Sequence, residues 1–165
     1  MTLLFERAEL EARQNRVCGA MAAQGLDGML LFKQESMFYL TGYDTDGFVL
    51  FQTLFFGSDG RLCLLTRSAD RYQAQYTSTI DDVRVWVDSG DQNPALGVRD
   101  MLESLSMDGK CIGVEYDAYG LSARRGKAVD EALAGFCQLT DASDLIREIR
   151  LVKTSAELEC FRTAG

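Results

Sequence analysis

A stretch of apolar runs separated by short polar breaks, from Gly25 to Arg67, constrains the fold of this chain more than any other segment. Its first run, 27–32, is mostly Met, Leu and Phe, which predicts a strand buried on both faces. The next segment, 34–40, permits a short helix that Gly42 would end. We therefore expect a central strand followed by a helical turn.

The second half of this stretch predicts a hairpin. Two apolar runs, 48–56 and 62–66, flank the pair Asp59-Gly60. An Asp-Gly pair between such runs is typical of a tight turn between antiparallel strands, because glycine adopts a positive φ at little cost. An antiparallel hairpin beside a central strand indicates a sheet that is mixed rather than purely parallel.

The remaining segments alternate between helical and strand patterns. Asn93-Pro94 is a clear helix start, because Asn caps and Pro at the first helical position lacks only an N–H that would have no partner. Further helices are predicted at 5–24, at 69–77, after Ser122 and after Ser143, and strands at 83–87, 111–115 and 138–141. This order predicts an α/β fold with helices on both faces of a mixed sheet.

The last segment predicts the start of another helix. Thr154 and Glu157 form a capping box, in which each side chain accepts a hydrogen bond from the other residue's backbone N–H. We expect residues 1–153 to form one domain, and 154–165 to begin a linker helix that is cut at a domain boundary.

Composition excludes several classes of function. The chain has 165 residues and a net charge of −8, which disfavours nucleic-acid binding because such a surface repels phosphate. It has no apolar run long enough for a transmembrane helix, so we expect no membrane partner. Its five cysteines are scattered without a C-x-x-C pair, which favours reduced thiols. The amino terminus turns charged after Phe5, unlike a signal peptide, so we expect a cytoplasmic location.

The chain contains no histidine. A catalytic triad with a histidine base and a metal site with a histidine ligand are therefore excluded within these residues. Glu115, Asp117 and Asp141, completed by Asp27 or Asp46, could form a two-Mg²⁺ nuclease cluster, but the acidic surface disfavours that class. A stand-alone domain that binds a small molecule or a partner remains an alternative to an enzyme.

Several segments, taken together and in order, resemble the amino-terminal domain of the creatinase/prolidase family. This family includes the "pita-bread" metallopeptidases, among them Xaa-Pro dipeptidases and aminopeptidases. The segments are Phe32-Lys33-Gln34-Glu35-Ser36, Tyr39-Leu40-Thr41-Gly42-Tyr43, 109–115, Asp141-Ala142-Ser143-Asp144, and 150–154 with Glu157.

The resemblance implies a ribonuclease-H-like topology and a non-catalytic role. In that family a separate carboxy-terminal domain holds two divalent metals (Mn, Co or Zn) and performs the hydrolysis. The resemblance further implies a homodimeric parent enzyme acting on a small peptide or amide, and an amino-terminal domain that contributes dimer contacts and the rim of the substrate pocket. It implies no metal and no catalytic residue in this chain, which would be inactive alone.

The rim would come from the polar break between the short helix and the hairpin. An Asp there could hold a substrate amino group, and an aromatic ring could contact an apolar or prolyl group. An ordinary solvated turn, with Tyr39 and Phe48 in the core, is the alternative interpretation. Arg67, with Arg71 beside it, could bind a carboxylate or could simply be solvated. The candidate rim residues are Tyr39, Tyr43, Asp44, Asp46, Phe48 and Arg67.

Overall fold

The structure, a computed structural model, describes residues 3–87, 89–90 and 92–165. These residues form a six-stranded sheet with helices on both faces. The elements in chain order are α1 (Arg7–Ala23), β1 (Gly28–Leu31), α2 (Gln34–Thr41), β2 (Thr53–Gly57), β3 (Leu62–Arg67), α3 (Arg71–Thr77), β4 (Asp82–Trp86), α4 (Pro94–Ser104), β5 (Cys111–Val114), α5 (Ala123–Leu133), β6 (Gln138–Asp141), α6 (Leu145–Ile149) and α7 (Ser155–Ala164). The predicted order of elements is confirmed. Residues 1, 2, 88 and 91 of the predicted domain 1–153 lie outside the described part.

The sheet topology matches the mixed arrangement that the hairpin predicted. The strand order is β4-β3-β2-β1-β5-β6. Strand β2 pairs antiparallel with β1 and with β3, whereas the pairs β1–β5, β5–β6 and β3–β4 are parallel. Strand β2 therefore runs against all its neighbours, beside the central β1. The predicted α/β fold of ribonuclease-H-like topology is confirmed.

The sheet separates two apolar cores. Helices α4 and α5 cover one face, and α1, α2, α3 and α6 cover the other. All of β1 is buried, because helices cover both of its faces, and this explains its unbroken apolar run. Buried side chains that the helices contribute include Val98, Met101, Val129 and Leu133 on the first face, and Val17, Met21, Leu40 and Ile146 on the second.

The predicted strand 48–56 was wrong at its start. Strand β2 begins only at Thr53, and the residues before it form a turn in which the Leu50 N–H donates to the Gly47 carbonyl at 2.9 Å. Phe48 and Val49 are about half exposed, so their apolar character reflects a surface loop and not a strand. The predicted pattern failed here because an apolar run does not say whether it enters the sheet or passes over its end.

Several local signals at turns and helix starts were predicted correctly, although the helix predicted from residue 69 begins at Arg71, after a 3-10 turn over Ser68–Asp70. Gly60 has a φ of 85° in the hairpin turn. The Asn93 side chain accepts a hydrogen bond from the Ala95 N–H at 3.1 Å at the start of α4. The strand predicted at 83–87 is β4, which lies at the sheet edge and is largely half-exposed. In the described part of the chain, no helix is long and apolar enough to cross a membrane.

A buried arginine joins α1 to the start of α7. Arg13 is 1% exposed, and its Nε donates to Glu9 at 2.9 Å while its Nη1 donates to the Tyr39 carbonyl at 3.2 Å. Thr154 donates to the same Glu9 carboxylate at 2.8 Å, and Glu157 lies 3.9 Å from Arg13 Nη2. The capping box between Thr154 and Glu157 is formed as predicted. Helix α7 is thus attached to the domain through a buried charge network.

Candidate functional site

A cavity of about 590 Å³ lies at the carboxyl ends of β1 and β5. Strand β1 is where the chain order of the sheet reverses, since β2 follows it on one side and β5 is added on the other. Open α/β sheets bind ligands outside the carboxyl ends of strands at this kind of switch point. The cavity is therefore the candidate functional site of this domain.

The walls of the cavity carry three cations in an acidic protein. Lys33 follows β1 directly; its side chain is 14% exposed, its Nζ donates to the Ser143 carbonyl at 3.2 Å and lies 3.6 Å from Asp117. Arg147 belongs to α6 and forms an ion pair with Asp144. Both side chains are largely exposed. Arg150 follows α6 and has no side-chain partner among the described residues.

Two exposed aromatic rings stand at the mouth of the cavity. Phe48 is 48% exposed and Tyr119 is 84% exposed, and their ring centroids lie 6.2 Å apart in an edge-to-face arrangement. The loops that carry Phe48 and Tyr119 pack closely against each other, since a Cβ added to Gly120 would lie 2.7 Å from the Leu50 carbonyl oxygen. Only glycine fits there, and this contact sets the position of both rings.

A buried carboxyl group binds three of the residues that line the cavity. Glu115, which follows β5, is fully buried and accepts hydrogen bonds from the Phe32 and Lys33 N–H groups at 3.1 Å each and from Ser36 Oγ at 2.6 Å. Burial raises the pKa of this carboxyl to about 7, although these three donors act in the opposite direction. Glu115 therefore fixes the end of β1 and the start of α2, from which Lys33 projects.

The end of β6 is fastened to the end of β5 in a similar way. Ser143 Oγ donates to Asp141 at 2.5 Å and accepts from the Tyr116 N–H at 3.0 Å. The Ser143 N–H also donates to Asp141 at 3.0 Å, and these two hydrogen bonds from Ser143 lower the pKa of the Asp141 carboxyl. The segments after β1, β5 and β6 are thus cross-linked to one another, so the cavity walls are fixed by the folded sheet.

Two of the predicted rim residues are buried. Tyr39 is 3% exposed and Tyr43 is fully buried, with its hydroxyl donating to Gln52 Oε1 at 2.9 Å. Burial raises the pKa of both phenols. Their rings pack in the core on the α1 side of the sheet, so neither ring lines the cavity described above. A role for them at a substrate pocket stays a prediction.

The other predicted loop residues are exposed on a well-anchored loop. Asp44, Asp46 and Phe48 face solvent, and Phe48 reaches the cavity. Gln34 Nε2 donates to the Thr45 carbonyl, and Gln52 Nε2 donates to the Gly47 carbonyl at 3.2 Å. The loop is thus held from below, and its carboxylates project from a rigid support.

Arg67 lies beside this loop and away from the cavity. Its Nε donates to the Asp70 carboxylate at 3.1 Å. The same carboxylate lies close to Gly47, since a Cβ added to Gly47 would be 3.4 Å from Asp70 Oδ1. Among the six candidate residues, the structure brings Phe48 to the cavity, and it places Arg67 behind the loop that carries Asp46.

Of the carboxylates considered for a nuclease cluster, Asp27 lies at the opposite end of the sheet from Glu115, Asp117 and Asp141. Asp27 precedes β1 and accepts from the Cys111 N–H at 2.9 Å, at the opposite end of that strand from Glu115. Glu115 directs its oxygen atoms at backbone N–H groups and Ser36. Within the described ranges, no group of three Cys, Asp or Glu side chains is placed to hold a metal. These residues do not fit the metal pair that the resemblance implies for the second domain.

Most of the cavity residues were not singled out from the sequence. Lys33, Tyr119, Arg147 and Arg150 come from three chain segments that meet only in the folded sheet. Each follows the carboxyl end of a strand in the chain, and a search for charged residues in these segments would have found the three cations, although not Tyr119. The resemblance instead suggested candidate residues in the loop around Asp44.

This fold, with a site at the carboxyl ends of its strands, defines an α/β domain of the kind found at the amino terminus of pita-bread enzymes. Residues 13–152 match the Creatinase/Prolidase N-terminal domain family. The chain belongs to this family.

Curated relatives and solved structures agree with this assignment. The chain is 32% identical over 170 residues to an uncharacterized hydrolase/peptidase, y4tM, of Sinorhizobium fredii, and 28% identical over 172 residues to the ectoine hydrolase of Halomonas elongata. These matches cover 99% and 100% of the chain, but 43% of each relative. The chain thus spans less than half the length of both relatives.

The structural likeness supports the fold. A prolidase from Thermococcus sibiricus matches 91% of the chain with a TM-score of 0.75 at 16% identity, covering 39% of that protein. The N-terminal domain of the cytoplasmic peptidase PepQ from Mycobacterium tuberculosis matches 84% of the chain with a TM-score of 0.66 at 22% identity, covering 98% of that structure. The predicted family is confirmed.

Proposed function

We propose that this chain is the non-catalytic amino-terminal domain of a metal-dependent hydrolase of the Xaa-Pro dipeptidase or creatinase type. The observation that carries the proposal is that the chain aligns along its whole length with 43% of two hydrolases while containing no histidine. Two divalent metals would then be held by residues outside this chain, and the substrate would be a small peptide or amide. The five free cysteines favour a reducing compartment such as the cytoplasm.

In this proposal, two surfaces would meet the rest of the enzyme. The segment around α7 exposes Leu151, Val152 and Phe161 at 70%, 77% and 63%, which suits contact with the chain's own catalytic domain. Helix α3 exposes Tyr72 and Tyr76 one turn apart, which suits a dimer contact. The exposed loop carrying Asp44, Asp46 and Phe48 would form the rim of the substrate pocket.

The experiment that tests this proposal compares two proteins. The purified chain is assayed with Mn²⁺ or Co²⁺ on Xaa-Pro dipeptides and on ectoine, and the protein encoded by the complete reading frame is assayed in parallel. We expect no turnover by the chain and turnover by the longer protein, because the hydrolytic centre would lie in the added part. Turnover by the chain alone, or a reading frame without metal ligands beyond Gly165, contradicts the proposal.

A stand-alone ligand-binding domain of the same fold is the second candidate function. The cavity at the carboxyl ends of β1 and β5 favours it, because residues of this chain supply aromatic and charged groups that line it. A stop codon directly after Gly165, together with ligand binding by the purified chain, would select this function over the first.

A further inference from the structure

We infer that the open edge of strand β4 is a contact surface for a second copy of this chain, whose own β4 pairs with it in antiparallel orientation about Val83. The inference rests on the dimer contact suggested above for α3, and it names the strand and the register of that contact. It is tested on the chain alone, so it can fail while the assignment of catalysis to another domain holds.

Strand β4 has an unpaired backbone edge. It is the last strand on its side of the sheet, and among the described residues it pairs with β3 alone. The outward N–H and C=O groups of such a strand can pair with another chain, and proteins usually protect them with a lysine, a proline or a bulge. The sequence of β4, Asp-Val-Arg-Val-Trp, contains neither Lys nor Pro, and its register with β3 is continuous from Asp82 to Trp86. The edge is therefore open to a further strand.

Apolar side chains lie beside this edge on one face of the sheet. Val83 pairs with Leu64 and packs against the core on the α1 side, so Val85 faces the same side two residues further on. The Val85 side chain is 37% exposed. Helix α3 packs against β4, and its Tyr72 and Tyr76 are 67% and 66% exposed. A second copy would bury part of this surface, and tyrosine is enriched in such contacts.

The opposite edge of the sheet has a different character. Strand β6 has four residues, and Gln138, Thr140 and Asp141 among them are exposed polar side chains. Pairing through β6 would therefore bury polar groups with little apolar gain. We assign the contact to β4, and its use by both copies makes the contact two-fold and closed, so it does not extend into a fibre.

The order of charges along β4 selects the register. Asp82 and Arg84 lie two residues apart on the α4 face of the sheet, where they form an ion pair at 2.8 Å. An antiparallel strand aligned about Val83 places Asp82 opposite Arg84 of the second copy, and Arg84 opposite its Asp82. The four charges then alternate in sign, and each opposed pair attracts. A shift of the centre by one residue would instead place two copies of Asp82, or two copies of Arg84, directly opposite each other.

The test is the mass of the chain in solution. Sedimentation velocity is measured from about 10 µM to about 1 mM, which covers the affinities of contacts with small buried areas. We expect a reversible equilibrium between monomer and dimer, in which the dimer fraction rises with concentration.

A reversal of charges tests the register. Arg84→Glu places two like-charged pairs across the contact and should weaken the dimer about tenfold. The double variant Asp82→Arg, Arg84→Glu keeps the alternating order with every sign reversed, so it should recover the affinity of the parent chain. A contact made by another surface would show no such recovery.

A lysine at each edge of the sheet tests the location. Val85→Lys adds the residue with which proteins protect open edges, and it should keep the chain monomeric at concentrations where the parent chain dimerises. Thr140→Lys is the matched control, because it adds the same charge to an exposed position on β6, and it should leave the equilibrium unchanged. A urea unfolding curve shows whether each variant is folded, and where one pair of variants is not, the other pair decides the test.

Three results would overturn the inference. The first is a parent chain that stays monomeric at the highest concentration. The second is equal weakening of the dimer by Val85→Lys and Thr140→Lys. The third is a double variant that dimerises no better than Arg84→Glu.

Discussion

Glu115 is a carboxyl group whose buried environment disfavours its charged form. It is fully buried between β1 and α2, and burial raises its pKa to about 7 from an ordinary value of 4.5. The folded state therefore keeps a proton that the unfolded state releases between these two values. The free energy of unfolding should fall as the pH rises through this window, by about 3 kcal/mol from this group.

Replacing Glu115 with glutamine should remove this pH dependence. The amide oxygen of Gln still accepts from the Phe32 and Lys33 N–H groups, and its NH₂ can donate to Ser36, but it does not titrate. Urea unfolding at pH 5 and pH 8 measures the difference, with Glu131→Gln on the exposed side of α5 as the control. If Glu115→Gln keeps the slope of the parent chain, another group is responsible for it.

Truncation of the buried Leu31 tests whether β1 is placed correctly in the core. Leu31 is fully buried in β1 between the two layers of helices, so Leu31→Ala should cost about 2–5 kcal/mol through lost contacts and a cavity. Leu96→Ala, at a position in α4 that is 56% exposed, is the matched control and should change stability by well under 1 kcal/mol. Equal denaturation midpoints for the two variants would contradict the placement of β1.

At the scale of elements, α7 depends on its amino-terminal contacts, since none of its residues is buried. Glu157 both completes the capping box with Thr154 and faces the buried Arg13 at 3.9 Å. Glu157→Ala should therefore raise amide exchange across 158–164 by roughly tenfold, the equivalent of losing a cap and a partly buried charge pair. Glu159→Ala removes an exposed carboxylate from the same helix and is the control. Similar exchange in both variants would show that Glu157 does not anchor α7.

The elements also show which features were predictable from the sequence. Capping residues and turns, such as Asn93, Thr154 and Gly60, were predicted correctly because their signals depend on neighbouring residues alone. The start of β2 was predicted wrongly, because Phe48 is an aromatic residue typical of strands but lies in a loop at the mouth of the cavity. Lys33, Tyr119 and Arg150 could not be joined into one site, since only the order of strands in the sheet brings them together.

For the whole molecule, the proposal that the catalytic metals lie outside this chain predicts how the chain responds to metal ions. It has no histidine, and within the described ranges its Cys, Asp and Glu side chains form no group of three that could hold a metal. A ligand present at a hundredfold excess over its Kd stabilises a protein by about 2.7 kcal/mol. In a domain of this size that corresponds to a rise in Tm of roughly 5–10 °C.

We therefore expect the Tm of the chain to be the same with about 1 mM MnCl₂ as with CaCl₂ at equal concentration, because both act only through ionic strength on the surface charges. If the proposal is correct, a protein that carries this domain together with the proposed catalytic domain should instead show a Mn²⁺-dependent rise that EDTA reverses. A Mn²⁺-specific rise of several degrees in the 165-residue chain itself would place a metal site among these residues and would contradict the assignment of the metals to another domain.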